Sequence, residues 1–162
     1  MVDFKLWLES NEYSCVMLKI PKKEILKWSK ENISKQNLHE KGRELDTHVT
    51  VLYGLHTNDL KDVVDIDFPE IEITLGNVTK FSQPEYDVIK IDVESKSIRK
   101  ANELVSELDH EKLYPKYHPH CTLAYVKKDS CNHLIGNDYF KGKKLKGKLV
   151  FSNKSRKHFN LD

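Results

Sequence analysis

The sequence predicts an α+β fold of two pseudo-symmetric lobes, each an antiparallel sheet with covering helices. Three observations lead there. The stretches HVTVLY (His48–Tyr53) and HCTLAY (His120–Tyr125) carry one pattern twice: histidine, any residue, threonine, and a tyrosine three residues later. The two copies stand about half a chain length apart in 162 residues. The predicted elements also recur in one order, strand, helix, strand, short helix, strand, once per half. A single bilobal domain over residues 1–162 follows, with lobes at roughly 1–80 and 81–162.

The elements follow in chain order. Tyr13–Ile20 is a short apolar run that stops at Pro21, which reads as a strand. Pro21 opens a helix through PKKEILKWSKENIS, with Ile25, Trp28 and Ile33 on its inner face. QNLHEKGRELDT is polar and predicts a loop, and HVTVLYGL predicts a strand. Asn58–Ile66 suits a helix with an Asn or Asp cap. EIEITLGNVTKF and YDVIKIDVE alternate at period two around the turn SQPE, so they form two sheet arms. Ser95 or Ser97 caps a helix to about Leu108, with Ile98, Ala101, Leu104, Val105 and Leu108 at helical spacing. HEKLYPKYHP is a loop and HCTLAYV a strand. CNHLIGNDYF suits a short helix or turn. KLKGKLVFSN is the final strand, followed by a polar tail.

Composition narrows the classes. The chain is 38% hydrophobic and 32% charged, enough for a core under a well-solvated surface. A net charge of +2 excludes bulk duplex binding as an expectation. No apolar run approaches the roughly 20 residues that cross a bilayer. The opening MVDFKLWLES is acidic and lacks the long apolar centre of a secretory signal. Cys15, Cys121 and Cys131 form an odd set, which suits a reducing compartment. Cys15 and Cys121 lie in apolar runs and read as buried small hydrophobes rather than nucleophiles.

The repeated motif has a defined geometry in a strand. Residues i and i+2 share a face. His48 and Thr50 therefore share one face, as do His120 and Thr122. Val49, Val51 and Tyr53, with Cys121, Leu123 and Tyr125, are expected on the opposite, core face. Two imidazoles and two hydroxyls then converge if the lobes face each other. That set suits phosphodiester chemistry. One neutral histidine accepts a proton from the nucleophile and the other, protonated, gives one to the leaving oxygen. The threonine hydroxyls donate to the non-bridging oxygens as charge builds up. A single His-x-Thr means little by itself. Two in apolar strands, each followed by tyrosine at the same offset, are hard to place as coincidence.

HVTVLYGL and PHCTLAYV resemble the paired His-x-Thr signatures of the 2H phosphoesterase superfamily, and the resemblance covers nearly the whole chain. With EYSCVMLKI near the start, HVTVLYGLH and YHPHCTLAYV look most like the phage anti-CBASS phosphodiesterases. CBASS is bacterial immune signalling by cyclic oligonucleotides. The resemblance implies cleavage of 3′-5′ bonds in an adenine-containing cyclic di- or trinucleotide, without metal or other cofactor, in the host bacterial cytoplasm. It implies catalytic roles for His48, Thr50, His120 and Thr122, and a site tyrosine at Tyr13. The branch also uses an acidic residue near its last strand. Here that region reads KGKKLKGKLVFS and holds no carboxylate.

Other residues carry alternatives. His118 lies near His120 in sequence, but zinc needs three or four ligands and no matching cluster is evident. His118 then serves as a loop residue or a partner of His120. His56 suits a surface loop or a phosphate contact. Lys141–Gly147 suits a solvated turn or an anion-attracting rim. Phe81 and Tyr117 are candidates for stacking on a nucleobase, whereas Tyr86, Trp7 and Trp28 read as packing residues. Three functions stay open at this point: a cyclic-oligonucleotide phosphodiesterase, an RNA-end enzyme acting on 2′,3′-cyclic or 2′-5′ phosphates, and a non-catalytic cyclic-nucleotide binder.

Overall fold

The computed structural model describes residues 12–161; Trp7 lies outside the described residues. Among the described residues, nine strands form one antiparallel sheet. They are β1 (Ser14–Lys19), β2 (Leu38–Arg43), β3 (His48–Leu55), β4 (Glu72–Ser82), β5 (Tyr86–Glu94), β6 (His120–Lys127), β7 (Lys144–Lys146), β8 (Lys148–Ser152) and β9 (His158–Asn160). The order is β7-β4-β5-β6-β3-β1-β8-β9, with β2 added beside β6. Helices α1 (Lys23–Asn32), α2 (Lys61–Val64) and α3 (Lys96–Val105) complete the described elements, with single 3-10 turns at Lys35–Asn37 and Asn132–Leu134. The α+β class with antiparallel sheet and covering helices is as expected.

The expected lobes at 1–80 and 81–162 do not sort the strands. β4 crosses residue 80 and lies with β5 and β6, while β8 and β9 lie with β1 and β3. β7 and β8 stand far apart in the strand order, yet only Gly147 separates them in the chain. One residue spans at most ~3.6 Å, so the sheet must curl until these strands meet. Gly147 is required there: a Cβ would collide with the carbonyl oxygen of Lys19 and the Leu18 side chain. This is why the expected final strand is two strands. Gly147→Ala is expected to cost about 1–3 kcal/mol, the scale of an overpacked core. A thermal melt checks it, and an unchanged midpoint would mean that the junction has room to relax.

The core lies on one face. Val16, Leu18, Val49, Val51, Ile89, Ile91, Cys121 and Leu123 bury there under Ile25 and Trp28 of α1 and Ile98, Ala101 and Val105 of α3. Each Val, Leu or Ile among them contributes roughly 1.5–3 kcal/mol on full burial. The Ser95 side chain caps α3 by accepting from the Ile98 N–H at 3.0 Å. α3 ends at Val105, before the predicted Leu108, and the helix predicted over Asn58–Ile66 shrinks to the single turn α2.

Two segments read as irregular are strands. β2 falls in the predicted loop QNLHEKGRELDT. Only its ends pair with β6, Leu38 with Val126 and Arg43 with Ala124, so a period-two pattern never develops. Arg43 holds it in place, donating to the Ser29 carbonyl at 2.7 Å and the Ile33 carbonyl at 2.8 Å at the end of α1. The polar tail contains β9, short and mostly exposed, paired with β8.

Candidate active site

β3 and β6 run antiparallel and pair at Val49 and Cys121. Both of these residues are fully buried on the core face. The residues flanking an antiparallel pair point to the opposite face. The register therefore sets His48 beside Thr122 and Thr50 beside His120, all four half-buried on the other face. The two motif copies thus meet at one point of the sheet.

The imidazoles are held alike. His48 Nδ1 lies 2.6 Å from the Asp46 carbonyl oxygen, and His120 Nδ1 lies 2.7 Å from that of His118. A carbonyl only accepts, so each Nδ1 carries the proton, and Nε2 is the nitrogen that exchanges one with a ligand. The expected partnership of His118 with His120 runs through its backbone. Burial, then the positive charges of Lys90, His48 and His118, lower the His120 pKa to about 4 against the opposing His118 hydrogen bond. His120 is therefore neutral at physiological pH.

The motif tyrosines correct the strand reading. Register shifts fall at the same place in both copies, at Val51 in β3 and at Leu123 in β6. An extra residue reverses the alternation beyond it. Tyr53 and Tyr125 thereby leave the expected core face and line the site cleft. Tyr53 hydrogen-bonds the Thr50 side chain, and burial pushes its own ionisation well above the ordinary range. The signal was present in the sequence, as a tyrosine repeated at a fixed offset, but alternation assigned it to the wrong side.

The cleft has a volume of about 690 Å³ and reaches from Thr50 and His120 along the loop at 110–118. Phe81, Tyr86, Tyr114, Tyr117 and Tyr125 give it aromatic walls. Phe81 packs T-shaped against His120, with ring centroids 5.0 Å apart. Tyr117 lines the cleft too, but its hydroxyl donates to the Thr50 carbonyl at 2.7 Å and the Arg99 guanidinium lies 5.9 Å from its ring centroid. It braces the motif strand as well as facing the cavity. Tyr86, expected in the core, packs with Val88, Tyr125 and Phe81 in a separate cluster on the cleft side.

Other candidates fall elsewhere. Tyr13 precedes β1 and packs edge-on against His56, with centroids 5.5 Å apart. It lies four residues from Met17, the partner of Thr50, or about 13 Å along the strand. The structure does not gather it with the four motif residues. His56 pairs with Glu111 at 3.4 Å. In the Lys141–Gly147 stretch, Lys143 pairs with Glu24 and Lys146 with Glu70, away from the cleft. The next residue, Lys148, is the register partner of Lys19, itself the partner of His48. The carboxylate-free region thus brings a lysine to the site face, two strands from His48. His158 of β9, unforeseen in the tail, has its pKa lowered by burial first, then by Lys19, His48 and Arg156 nearby.

Cys15, Cys121 and Cys131 are unpaired and buried. Burial pushes the Cys15 and Cys121 thiols up to about 12, which removes them as nucleophiles. Among the described residues, no three His, Cys, Asp or Glu side chains group to hold a metal ion. No described helix is long and apolar enough to cross a membrane.

A family model described as anti-CBASS protein Acb1 matches residues 12–162. No curated protein matches the chain.

Proposed function

Because the chain belongs to the Acb1 family of anti-CBASS proteins, we propose that it is a 2H-type, metal-independent phosphodiesterase. Its substrates are cyclic di- and trinucleotide immune messengers containing adenine, opened at 3′-5′ bonds to linear products in the host bacterial cytoplasm. The observation that carries this reading is the Val49–Cys121 pairing, which puts two imidazoles and two hydroxyls on one face.

The mechanism follows from that set. The scissile phosphate lies over the point where β3 and β6 meet. Neutral His120 takes the proton of the attacking hydroxyl through Nε2. Protonated His48 delivers one to the leaving oxygen on the other side of phosphorus. Thr50 and Thr122 donate to the non-bridging oxygens as negative charge grows there. The cleft beside His120 receives a nucleobase. Its size falls in the range of small-molecule sites, and a base stacked on an aromatic wall gains roughly 1–3 kcal/mol. Phe81 and Tyr117 are the residues we place against that base.

The test is turnover by the purified full chain of several cyclic di- and trinucleotides, read by chromatography in excess chelator. Linear products are expected, at a rate the chelator leaves unchanged. A loss restored by one divalent metal would end the metal-independent part. Cleavage of 2′,3′-cyclic RNA ends or 2′-5′ linkages in preference to cyclic dinucleotides would transfer the activity to RNA ends. Tight binding of the intact messenger without any product would make the protein a sequestering binder.

A further inference from the structure

Lys90 is a buried cation at the edge of the site. It is 4% exposed, and lysine rarely buries unless paired. In the register it opposes Thr122 on β6 and Thr79 on β4, and Asp92 opposes His120. Opposed residues share a face, so Thr79, Lys90 and Asp92 stand on the face of the four motif residues. All three ammonium directions are committed. Lys90 Nζ lies 2.6 Å from Asp92 Oδ1 and 2.7 Å from Thr79 Oγ1. It also sits 4.3 Å from the centroid of Phe81, the ring packed T-shaped against His120. Thr79 donates to the same Asp92 oxygen at 2.8 Å, which closes the network.

A cation so fixed cannot swing out to solvent, so its field on the site is permanent. The charged and titratable groups facing His120 are few. β5 brings Lys90 and Asp92, β3 brings His48, and the preceding loop brings His118, with His110, Glu111, Lys112 and Lys116 farther along the cleft. Asp92 shares one oxygen between two donors, and its side chain is 47% exposed to water, which screens it. Lys90 is dry.

We propose that Lys90, locked between Asp92, Thr79 and the Phe81 ring, is a positioning residue that adds to burial in holding His120 unprotonated and so helps assign His120 as proton acceptor and His48 as proton donor. The assignment of roles rests on the phosphodiesterase reading; the control of His120 does not. Without Lys90, a bound phosphate would draw a proton onto His120 more readily and narrow the pH range over which it serves as a base. Lys90 opposes that charge from the same face of the sheet.

The experiment is an NMR titration of the His120 Cε1–H signal in the full-length wild type, Lys90→Met, Lys90→Arg and Asp92→Asn. Lys90→Met is expected to raise the midpoint by about one pH unit, about a tenfold gain in proton affinity, the scale of a neighbouring like charge. Lys90→Arg should keep the wild-type midpoint, and Asp92→Asn should move it down. The acidic limb of kcat/KM on a cyclic dinucleotide should follow the midpoint in each variant. An unmoved midpoint in Lys90→Met, or an equal rise in Lys90→Arg, overturns the proposal. If Lys90→Met does not fold, Asp92→Asn decides, since a rise on removing that carboxylate contradicts it. No substrate is needed for the titration. Absence of turnover therefore sinks the phosphodiesterase reading alone, and a flat titration sinks this one alone.

Discussion

His48→Ala and His120→Ala will each lower turnover of a cyclic dinucleotide by about 10²–10⁴, the range of general acid–base catalysis. Affinity for the intact substrate will change far less. The reason is positional. Both rings stand on one face beside the Val49–Cys121 pair, and each is oriented through Nδ1 by the carbonyl two residues earlier. Neither ring is part of the apolar core, so truncation removes a proton-transfer group and leaves the fold. The double variant should lose little more than the worse single one, because acid and base act in one step. Thr50→Ala and Thr122→Ala should cost about 10–10³, the scale of one lost transition-state donor. Single-turnover rates with a separate binding measurement check all of these. Near-normal turnover in the double histidine variant would remove both histidines from the chemistry.

The same geometry gives the pH profile a sign. A base must be neutral, and the His120 pKa is lowered to about 4, first by burial and then by Lys90, His48 and His118. The acidic limb of kcat/KM should therefore lie near pH 4, with activity retained above it. The acid must carry a proton, and that role falls to the other motif histidine. Exchanged roles would put the alkaline limb near 4 instead, leaving almost no activity at neutral pH.

Much of this was legible because it is periodic. β1, β3, β5, β6 and both longer helices follow from runs and spacings in which local pattern and burial agree. The four motif residues were legible because a repeat is visible without a structure. What failed has physical causes. β2 pairs only through its ends, and β9 is three residues long, so neither needs an apolar stripe. Gly147 divides one apparent strand because the sheet curls back on itself, which no local pattern records. Bulges at Val51 and Leu123 moved Tyr53 and Tyr125 across the sheet, and strict alternation cannot see a bulge. Lys90 sits in YDVIKIDVE, where alternation correctly made it the polar position of a sheet arm. That it is buried beside His120 depends on the pairing of β5 with β6, a long-range fact.

A substrate lacking the 2′-hydroxyl beside the scissile bond should bind normally and resist cleavage. A ribose 2′-hydroxyl adjoins every 3′-5′ phosphodiester, so it arrives with the substrate and needs no site of its own. Held next to phosphorus, it attacks with an effective molarity that bulk water cannot match, up to ~10⁵–10⁸ M in well-oriented cases. Neutral His120 is placed to take its proton, and His48 to protonate the departing 5′-oxygen. The bond from the 2′-oxygen to phosphorus forms as the bond from phosphorus to the 5′-oxygen breaks, which leaves a 2′,3′-cyclic phosphate and a free 5′-hydroxyl. Water then opens that ring as His120 returns the proton it has just taken and His48 accepts one from the water, giving a linear product with a terminal phosphate on the ribose. Deletion of one hydroxyl removes the nucleophile and leaves bases, charge and ring size in place, so binding becomes the control. Chromatography should show the deoxy analogue intact over a time that converts the parent fully, and a brief reaction with the parent should trap the 2′,3′-cyclic phosphate. Cleavage of the analogue at the parent's rate would mean that water attacks directly, and the two histidines would then have to activate water from the outset.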